Sequence, residues 1–479
     1  METYFSGIDT KTLRRLTERM ETSTYKGDSP NKKMVRALAW LHAIDVLKEF
    51  HQEPKGAYVL AGHGGDIRTL KGAVDYMYPR ESDFLGEYPI KRHPEKWLHR
   101  PKDIGVTAVD FDQTLIDGLH NRVGHISSEK ESGIGSIEGY VGDASRLVSK
   151  AGEYNMSHMD FCNATSVDNI YTVGEVIRNS TGLSYHMVTV MRGRECGPRR
   201  HDILVPDLSR VERKRWKRHL TERWKKHPSE SKVAARILTR GMFDVKSAIK
   251  EVERSLRSFV VEASKIKGNT EKFLYFKKDG SLTPYGTGIV RASLFVELLT
   301  VMLHDTHAVT MVYSDSYQSN ISGSNGTPFT TFGLLALPIK DCISIPGVKY
   351  SSEFPLELSG DVEKDATIAW SVLDQLRCRA STMNMSGSQT ALYHGTKFSE
   401  EVLRINACLL AMRRDSESSS DLLCLDKRSV AAWRAHATRG SYGKWLSEIA
   451  EQYALPFGHP DRPRGRWFLP ADKTKYDFY

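Results

Sequence analysis

Leu60–Arg68 reads LAGHGGDIR and follows directly on Ala57–Val59 (AYV), so a short apolar run stops at Gly62, Gly64 and Gly65. Upstream, Lys33–Phe50 (KMVRALAWLHAIDVLKEF) places its apolar residues at helical spacing. Together they read as a helix, a strand and a glycine-rich turn that opens a second helix. A strand ending in glycines lets the backbone approach a ligand closely, and the helix behind it offers N–H groups with no intrahelical partner. The same three glycines also suit a tight turn with no ligand at all.

Working outward, apolar runs of strand character follow at Val106–Val109, around Tyr140, at Met156–Phe161 and at Tyr185–Met191. Helical or loop sequence separates them. Strands alternating with helices imply a parallel sheet covered on both faces, an α/β fold. The alternation resumes later with a helix at Ile289–His304 and two strands, Val309–Ser314 and Thr330–Leu337, joined by a polar loop at Ser314–Thr327 that suits either a lid or a plain connector. The last hundred or so residues read mainly as helices. Within them, Tyr442–Pro456 followed by Gly465–Pro470 fits a helix and wing of a DNA-binding module.

At 479 residues the chain exceeds one ordinary core, so several domains or one domain with large insertions is expected. With 40% apolar and 27% charged residues its composition is that of a soluble globular protein. The start, METYFSGIDTKTLRR, carries no apolar signal core, and the run Ala292–Leu303 is interrupted by Glu297 and falls short of a membrane span. A cytoplasmic protein is the expectation. The six cysteines lack any paired spacing, which argues against a disulfide framework and against a metal site.

Four segments end expected strands in sequence order, where open α/β sheets build their ligand crevice. The first is the glycine turn with Asp66. The second, VTAVDFDQ, places Asp110 and Phe111 after a strand, and a carboxylate there can accept both hydroxyls of a ribose. The third, YVGDAS, places Asp143 and Ala144 where an amino group of adenine can be met. The fourth, MSHMDFCNATSVDN, places Asp160, Phe161, Cys162 and Asn163 where substrate would meet cofactor. Each acid taken singly also suits a helix cap or a turn.

The series is similar to motifs I to IV of the class I, Rossmann-like, S-adenosylmethionine-dependent methyltransferases, in a divergent form of the kind phages and mobile elements encode. The similarity spans Lys33–Arg194 and Ile289–Pro338. It implies a Rossmann-like methyltransferase domain at 33–194 and 287–340, after an N-terminal extension at 1–32. A basic helical insertion at 195–286 and a mainly helical C-terminal region at 341–479 complete the chain. It also implies S-adenosylmethionine as cofactor, with Gly62, Gly64 and Gly65 at the methionine part, Asp110 at the ribose and Asp143 at the adenine; Phe111 and Ala144 accompany them. Asp160 would orient the acceptor or take its proton, beside Asn163, while Cys162 offers a nucleophile as an alternative.

Three features depart from the pattern. Leu60 and Ala61 stand where an acid usually precedes the glycines, leaving Asp66 to compensate from the other side. From Gly62 to Asp110 is 48 residues, against roughly 20 in a compact unit, so an insertion is required. The fourth motif reads DFCN, which excludes the Pro-Pro-aromatic signature of base-amino methyltransferases.

Arg192–Lys226 holds 13 Lys and Arg against 5 Asp and Glu, so a net +8 of the chain's +9 sits in one stretch. Such clustering is expected of phosphate contact. Arg192, Arg194, Arg199 and Arg200 follow the fifth strand, and Arg213, Lys214, Arg215, Lys217 and Arg218 fall on a helix at Asp207–Lys226, which by this reading stands beside the crevice and touches nucleic acid. Trp216 and Trp224 on that helix suit packing better than base stacking. Two other functions fit the residues. One is a catalytically inactive methyltransferase fold that binds nucleic acid or serves in a virion. The other is a haloacid-dehalogenase-type, Mg²⁺-dependent phosphatase, since VDFDQTL matches its DxDxT motif with Asp110 as nucleophile and Asp112 as acid/base.

Overall fold

The computed structural model describes residues 30–60, 64–78, 103–129, 132–191, 208–226, 232–240, 245–267, 275–282, 284–319, 327–345 and 357–381. Its first element, helix α1 (Pro30–Glu49), buries Val35, Ala39, Trp40, Ala43, Ile44, Val46 and Leu47, the apolar face that the helical spacing marked. Strand β1 (Gly56–Val59) is buried along its length and leads to helix α2 (Gly65–Met77). Gly64, the residue before α2, has φ 78°, and a Cβ there would lie 2.6 Å from Val123 Cγ1. Glycine is therefore required on both backbone and packing grounds.

Polar residues stop the next strands and start the helices behind them. Strand β2 (Asp103–Asp110) gives way to helix α3 (Gln113–Asp117), capped by Asp112 through Thr114 N; helix α4 (Leu119–Ser128) follows. Strand β3 (Gly133–Val141) gives way to the short helix α5 (Ala144–Leu147), capped by Asp143 through Ser145 N. Strand β4 (Met156–Ala164) precedes helix α6 (Val167–Arg178), capped by Ser166 through Asn169 N, and strand β5 (Ser184–Met191) follows.

The later elements are helices α7 (Arg210–Lys226), α8 (Val233–Arg240), α9 (Val245–Lys267) and α10 (Pro284–Met302), strands β6 (His307–Ser319) and β7 (Thr327–Pro338), and helix α11 (Val362–Ser381). Helix α7 opens with a capping box: Ser209 N donates to Glu212 Oε2 (2.7 Å) and Glu212 N donates to Ser209 Oγ (3.3 Å).

Seven strands among the described residues form one sheet in the order β3-β2-β1-β4-β5-β7-β6. Strands β1 to β5 pair in parallel, and β7 runs antiparallel to both β5 and β6. This is a Rossmann-like sheet with a reversed seventh strand inserted between the fifth and sixth, and the α/β fold class expected from the alternation holds. Chain order reverses at β1 and β4, the switch point at which open sheets leave a crevice beyond their carboxyl ends. Tight packing locks the reversed strand in place: a Cβ at Gly333 on β7 would lie 2.0 Å from the Tyr185 hydroxyl, which in turn shares a 2.6 Å hydrogen bond with His42 Nδ1 on α1.

Two expectations are corrected. The polar stretch from Ser314 is strand as far as Ser319 rather than loop, because β6 pairs with β7 through Ser319↔Thr327, so the connector shortens to 320–326, outside the described residues. The basic helix also does not begin beside the crevice. Trp216 of α7 is buried with its ring 5.2 Å from that of His304, and His304 lies in the turn that enters β6. That turn sits level with Ser184, the start of β5, at the opposite end of the sheet. Trp216 also meets Trp370 of α11 at 6.2 Å, so packing was the correct role for it. The side chain of Trp224, the C-terminal helix-and-wing pattern and most of 341–479 lie outside the described residues. Among the described residues no helix is long and apolar enough to cross a membrane.

Candidate cofactor crevice

Register brings the strand-end acids together. Val59 of β1 pairs with Ala108 on one side and with His158 on the other, so two residues later Asp110 and Asp160 flank the end of β1 at one level. Asp110 pairs with Val141, and Asp143 follows two residues on. The backbones of all three acids therefore share the rim at the switch point. Gly62 lies outside the described residues. Gly64 and Gly65 stand at the same rim, where Gly64 faces Val123 of α4 rather than open space.

Each acid already has work in the fold. Asp110 Oδ1 accepts from Asp112 N (3.0 Å) and the Asp110 carbonyl accepts from Gly142 N (3.0 Å), which ties the β2 and β3 turns together. Asp143 Oδ1 accepts from Ser145 N (2.9 Å) and Ser145 Oγ (2.7 Å). Ala144 is buried, and its carbonyl accepts from the Tyr58 hydroxyl at 2.7 Å, so it contributes backbone rather than an exposed side chain. Phe111 is 76% exposed, an apolar ring beside Asp110. Asp112, the acid/base of the phosphatase reading, accepts from both Thr114 N and Thr114 Oγ1, and those bonds hold its carboxyl below the usual range. A carboxyl kept ionised as a helix cap is poorly suited to donate a proton.

The fourth segment has a shape that periodicity could not reveal. Between Asp160↔Thr189 and Ala164↔Met191, β4 spends four residues for two of β5, so Phe161–Asn163 form a bulge at the rim. Bulges of this kind re-aim side chains beside functional sites. Phe161 packs half-buried against the core, while Asn163 is exposed and its Oδ1 accepts from Asn169 Nδ2 (2.6 Å). Cys162 has its backbone in this bulge; its side chain lies outside the described residues.

Beneath the rim lies a cluster of charge that the sequence did not announce. Asp66 is fully buried, and its Oδ1 meets His158 Nδ1 (2.5 Å), Arg36 Nε (3.1 Å) and Trp40 Nε1 (3.4 Å). It thus anchors α1 and β4 to α2 instead of presenting a surface carboxylate. His158 Nε2 continues to Thr189 Oγ1 (3.0 Å), and that hydroxyl to Thr331 Oγ1 (2.7 Å). Asp160 Oδ2 is paired with Lys32 (2.8 Å) and with Arg36 Nη2 (3.4 Å), while Asp160 Oδ1 is buried without a hydrogen-bond partner among the described residues. Burial pushes the Asp160 carboxyl up, but Lys32, His158 and Arg36 overcome it and hold the group well below the usual carboxylate range. In Asp66, burial is likewise outweighed by Arg36 and His158.

Of the residues assigned to nucleic acid, Arg192, Arg194, Arg199 and Arg200 lie outside the described residues. Arg215 pairs with Glu363 (2.9 Å) and Asp361 (3.4 Å) of the α11 N-terminal turn. Arg213, Lys214 and Lys217 line one groove, and Arg218 is exposed next to it.

No family model matches the chain, and no curated protein matches it. Among solved structures it is similar to the plantazolicin methyltransferase BamL in complex with a triazolic desmethylPZN analogue and SAH, at 14% identity over 70% of this chain and 92% of that one, with a TM-score of 0.27. A second likeness is to a structure described as a sarcosine dimethylglycine methyltransferase from Galdieria sulphuraria, at 10% identity over 68% and 98% of the two chains, with a TM-score of 0.24. At such scores the fold assignment rests on the strand order and the reversed β7 alone.

Proposed function

We propose that the chain is an S-adenosylmethionine-dependent methyltransferase whose crevice lies beyond the carboxyl ends of β1–β4, with nucleic acid as the acceptor. The observation that carries this reading is the convergence of Asp110, Asp143 and Asp160 on one rim at the switch point of the sheet. A flat, 76% exposed Phe111 beside Asp110 and Asp143 offers an apolar surface with two carboxylates, which suits an adenosine. Asp160 adds a buried acceptor oxygen next to it.

The cofactor supplies, when bound, an electrophilic methyl group on a sulfonium. Displacement at that methyl is in-line, so the chain's part is chiefly to position the acceptor. Asp160, locked by Lys32 and Arg36 and kept ionised, is a weak proton acceptor but a fixed hydrogen-bond acceptor for an N–H or O–H of the substrate. Of the two roles assigned to it from the sequence, orientation therefore fits better than proton abstraction. An amine acceptor sheds its proton to solvent after transfer.

Transfer of a labelled methyl group to DNA and RNA tests the reading. The wild type should label one of them, and Asp160→Asn should lower kcat about a hundredfold, the usual effect of losing one pre-set hydrogen bond at a reacting centre. A wild type that binds the cofactor yet labels neither polymer would overturn nucleic acid as the acceptor.

A further inference from the structure

Helix α7 carries nine Lys and Arg in seventeen residues, against two Glu. The structure divides them. On the inner side Trp216 and Leu220 are buried, Arg223 lies 4.3 Å over the Trp370 ring, and Arg215 is spent on Asp361 and Glu363. On the outer side Arg210, Arg213, Lys214 and Lys217 occur at i, i+3, i+4 and i+7, a single helical face, and with Leu208 they line a groove of about 460 Å³. None of these four forms an ion pair with another described residue. Arg213 is held in place by its Nε, which donates to the Leu208 carbonyl at 2.8 Å. Arg218 and Lys225 extend the same side.

We infer that this stripe is a docking site for the phosphate backbone of duplex nucleic acid, set apart from the methyl-transfer crevice. Four like charges set side by side along one helical face repel, and an anionic chain laid along them removes that repulsion. From Arg210 to Lys217 the helix rises about 10 Å, the axial length of roughly three successive phosphates on one strand. The aromatic residue that would stack on single-stranded bases, Trp216, is instead buried against His304 and Trp370, so the face reads backbone charge rather than bases.

Location separates this site from catalysis. The first half of α7 sits at the amino end of edge strand β6, four strands from β1 and a strand length below the rim. With about 4.8 Å between strands and 3.3 Å per residue, stripe and crevice are roughly 30 Å apart, so a duplex that reaches both spans about nine base pairs. The inference rests on the proposed nucleic-acid partner but on no property of the cofactor site.

The test is fluorescence anisotropy with a labelled duplex of arbitrary sequence across a salt series, on the wild type and on the triple variant Arg210→Ala, Lys214→Ala, Lys217→Ala. All three residues are on the surface, and circular dichroism checks that the fold persists. The variant should bind at least tenfold more weakly, and its log–log salt slope should shrink by about 2.7, near 0.9 for each lost contact. Replacing Lys214 and Lys217 by Arg should keep the wild-type slope. Cofactor titration of the same variant should be unchanged, which separates failure of the docking site from failure of the crevice. An unaltered slope in the triple variant overturns the inference. So does a wild type that binds phosphatidylserine vesicles and no duplex.

Discussion

Ser157 and His158 are neighbours on β4, yet their side chains open onto opposite faces of the sheet and enter two different buried polar networks. On the α1 face His158 joins Asp66, Arg36, Asp160 and Lys32, a network built of full charges. On the other face Ser157 shares a hydrogen bond with His186 Nδ1 (2.8 Å), His186 Nε2 with Ser184 Oγ (2.8 Å), and Ser184 with Ser180 (2.9 Å). That network is uncharged. Burial holds His186 down at about 3, helped by His307 nearby, and burial with Arg178 and Lys340 holds His307 at about 4. The contrast teaches where charge is tolerated. Beneath the crevice, two carboxylates and two cations compensate one another and fix Asp160. Behind β5, burial and the cations Arg178 and Lys340 outweigh the single acid Asp305 at His307, no acid answers His186, and the imidazoles stay neutral.

The largest effect should come from breaking the charged network. Arg36→Met leaves Asp66 and Asp160 buried without their shared cation, and urea unfolding should show a loss of about 3–5 kcal/mol. A loss under about 1 kcal/mol would mean that the ion pairs only decorate an apolar contact between α1 and the sheet.

The neutral network should respond to acid instead. In the unfolded chain a histidine takes a proton near pH 6.5, whereas folded His307 and His186 do so only near 4 and 3. Between those values the unfolded state binds more protons, so stability is complete above about pH 6.5 and declines as pH falls toward 4, by on the order of a few kcal/mol. His186→Gln, which keeps partners for Ser157 and Ser184, should flatten that decline. An equal slope in the variant would remove His186 from the account.

Smaller still is the effect of filling a close approach. Gly333→Ala drives a Cβ toward the Tyr185 ring where β5 meets the reversed β7, and should cost about 1–3 kcal/mol with little change in cofactor affinity. A neutral result would show that Tyr185 moves aside freely.

Much of this was legible in the sequence, for local reasons. Gly64 at a positive φ, Asp112, Asp143 and Ser166 as caps, and apolar runs of strand length all mark element ends through chemistry that acts within a few residues. The rim acids were found because each stands where a strand stops. Contacts distant in sequence were not legible: Arg36 reaches Asp160 across 124 residues, and nothing nearby marks that pairing except a charged residue set among buried apolar neighbours on α1. The bulge at Phe161–Asn163 was hidden because it exists only relative to β5. The end of the sheet at which helix α7 packs was not legible, because following β5 in sequence says nothing of where a helix packs; Trp216, with His304 and Trp370, decides that.

Calorimetric titration with S-adenosylmethionine and its demethylated product, on the wild type and on Asp110→Ala, tests the central claim most directly. The wild type should bind both ligands, and the variant should bind each at least tenfold more weakly while keeping its fold. Absence of heat with the wild type, or equal affinity in the variant, would contradict a cofactor crevice at the ends of β1–β4.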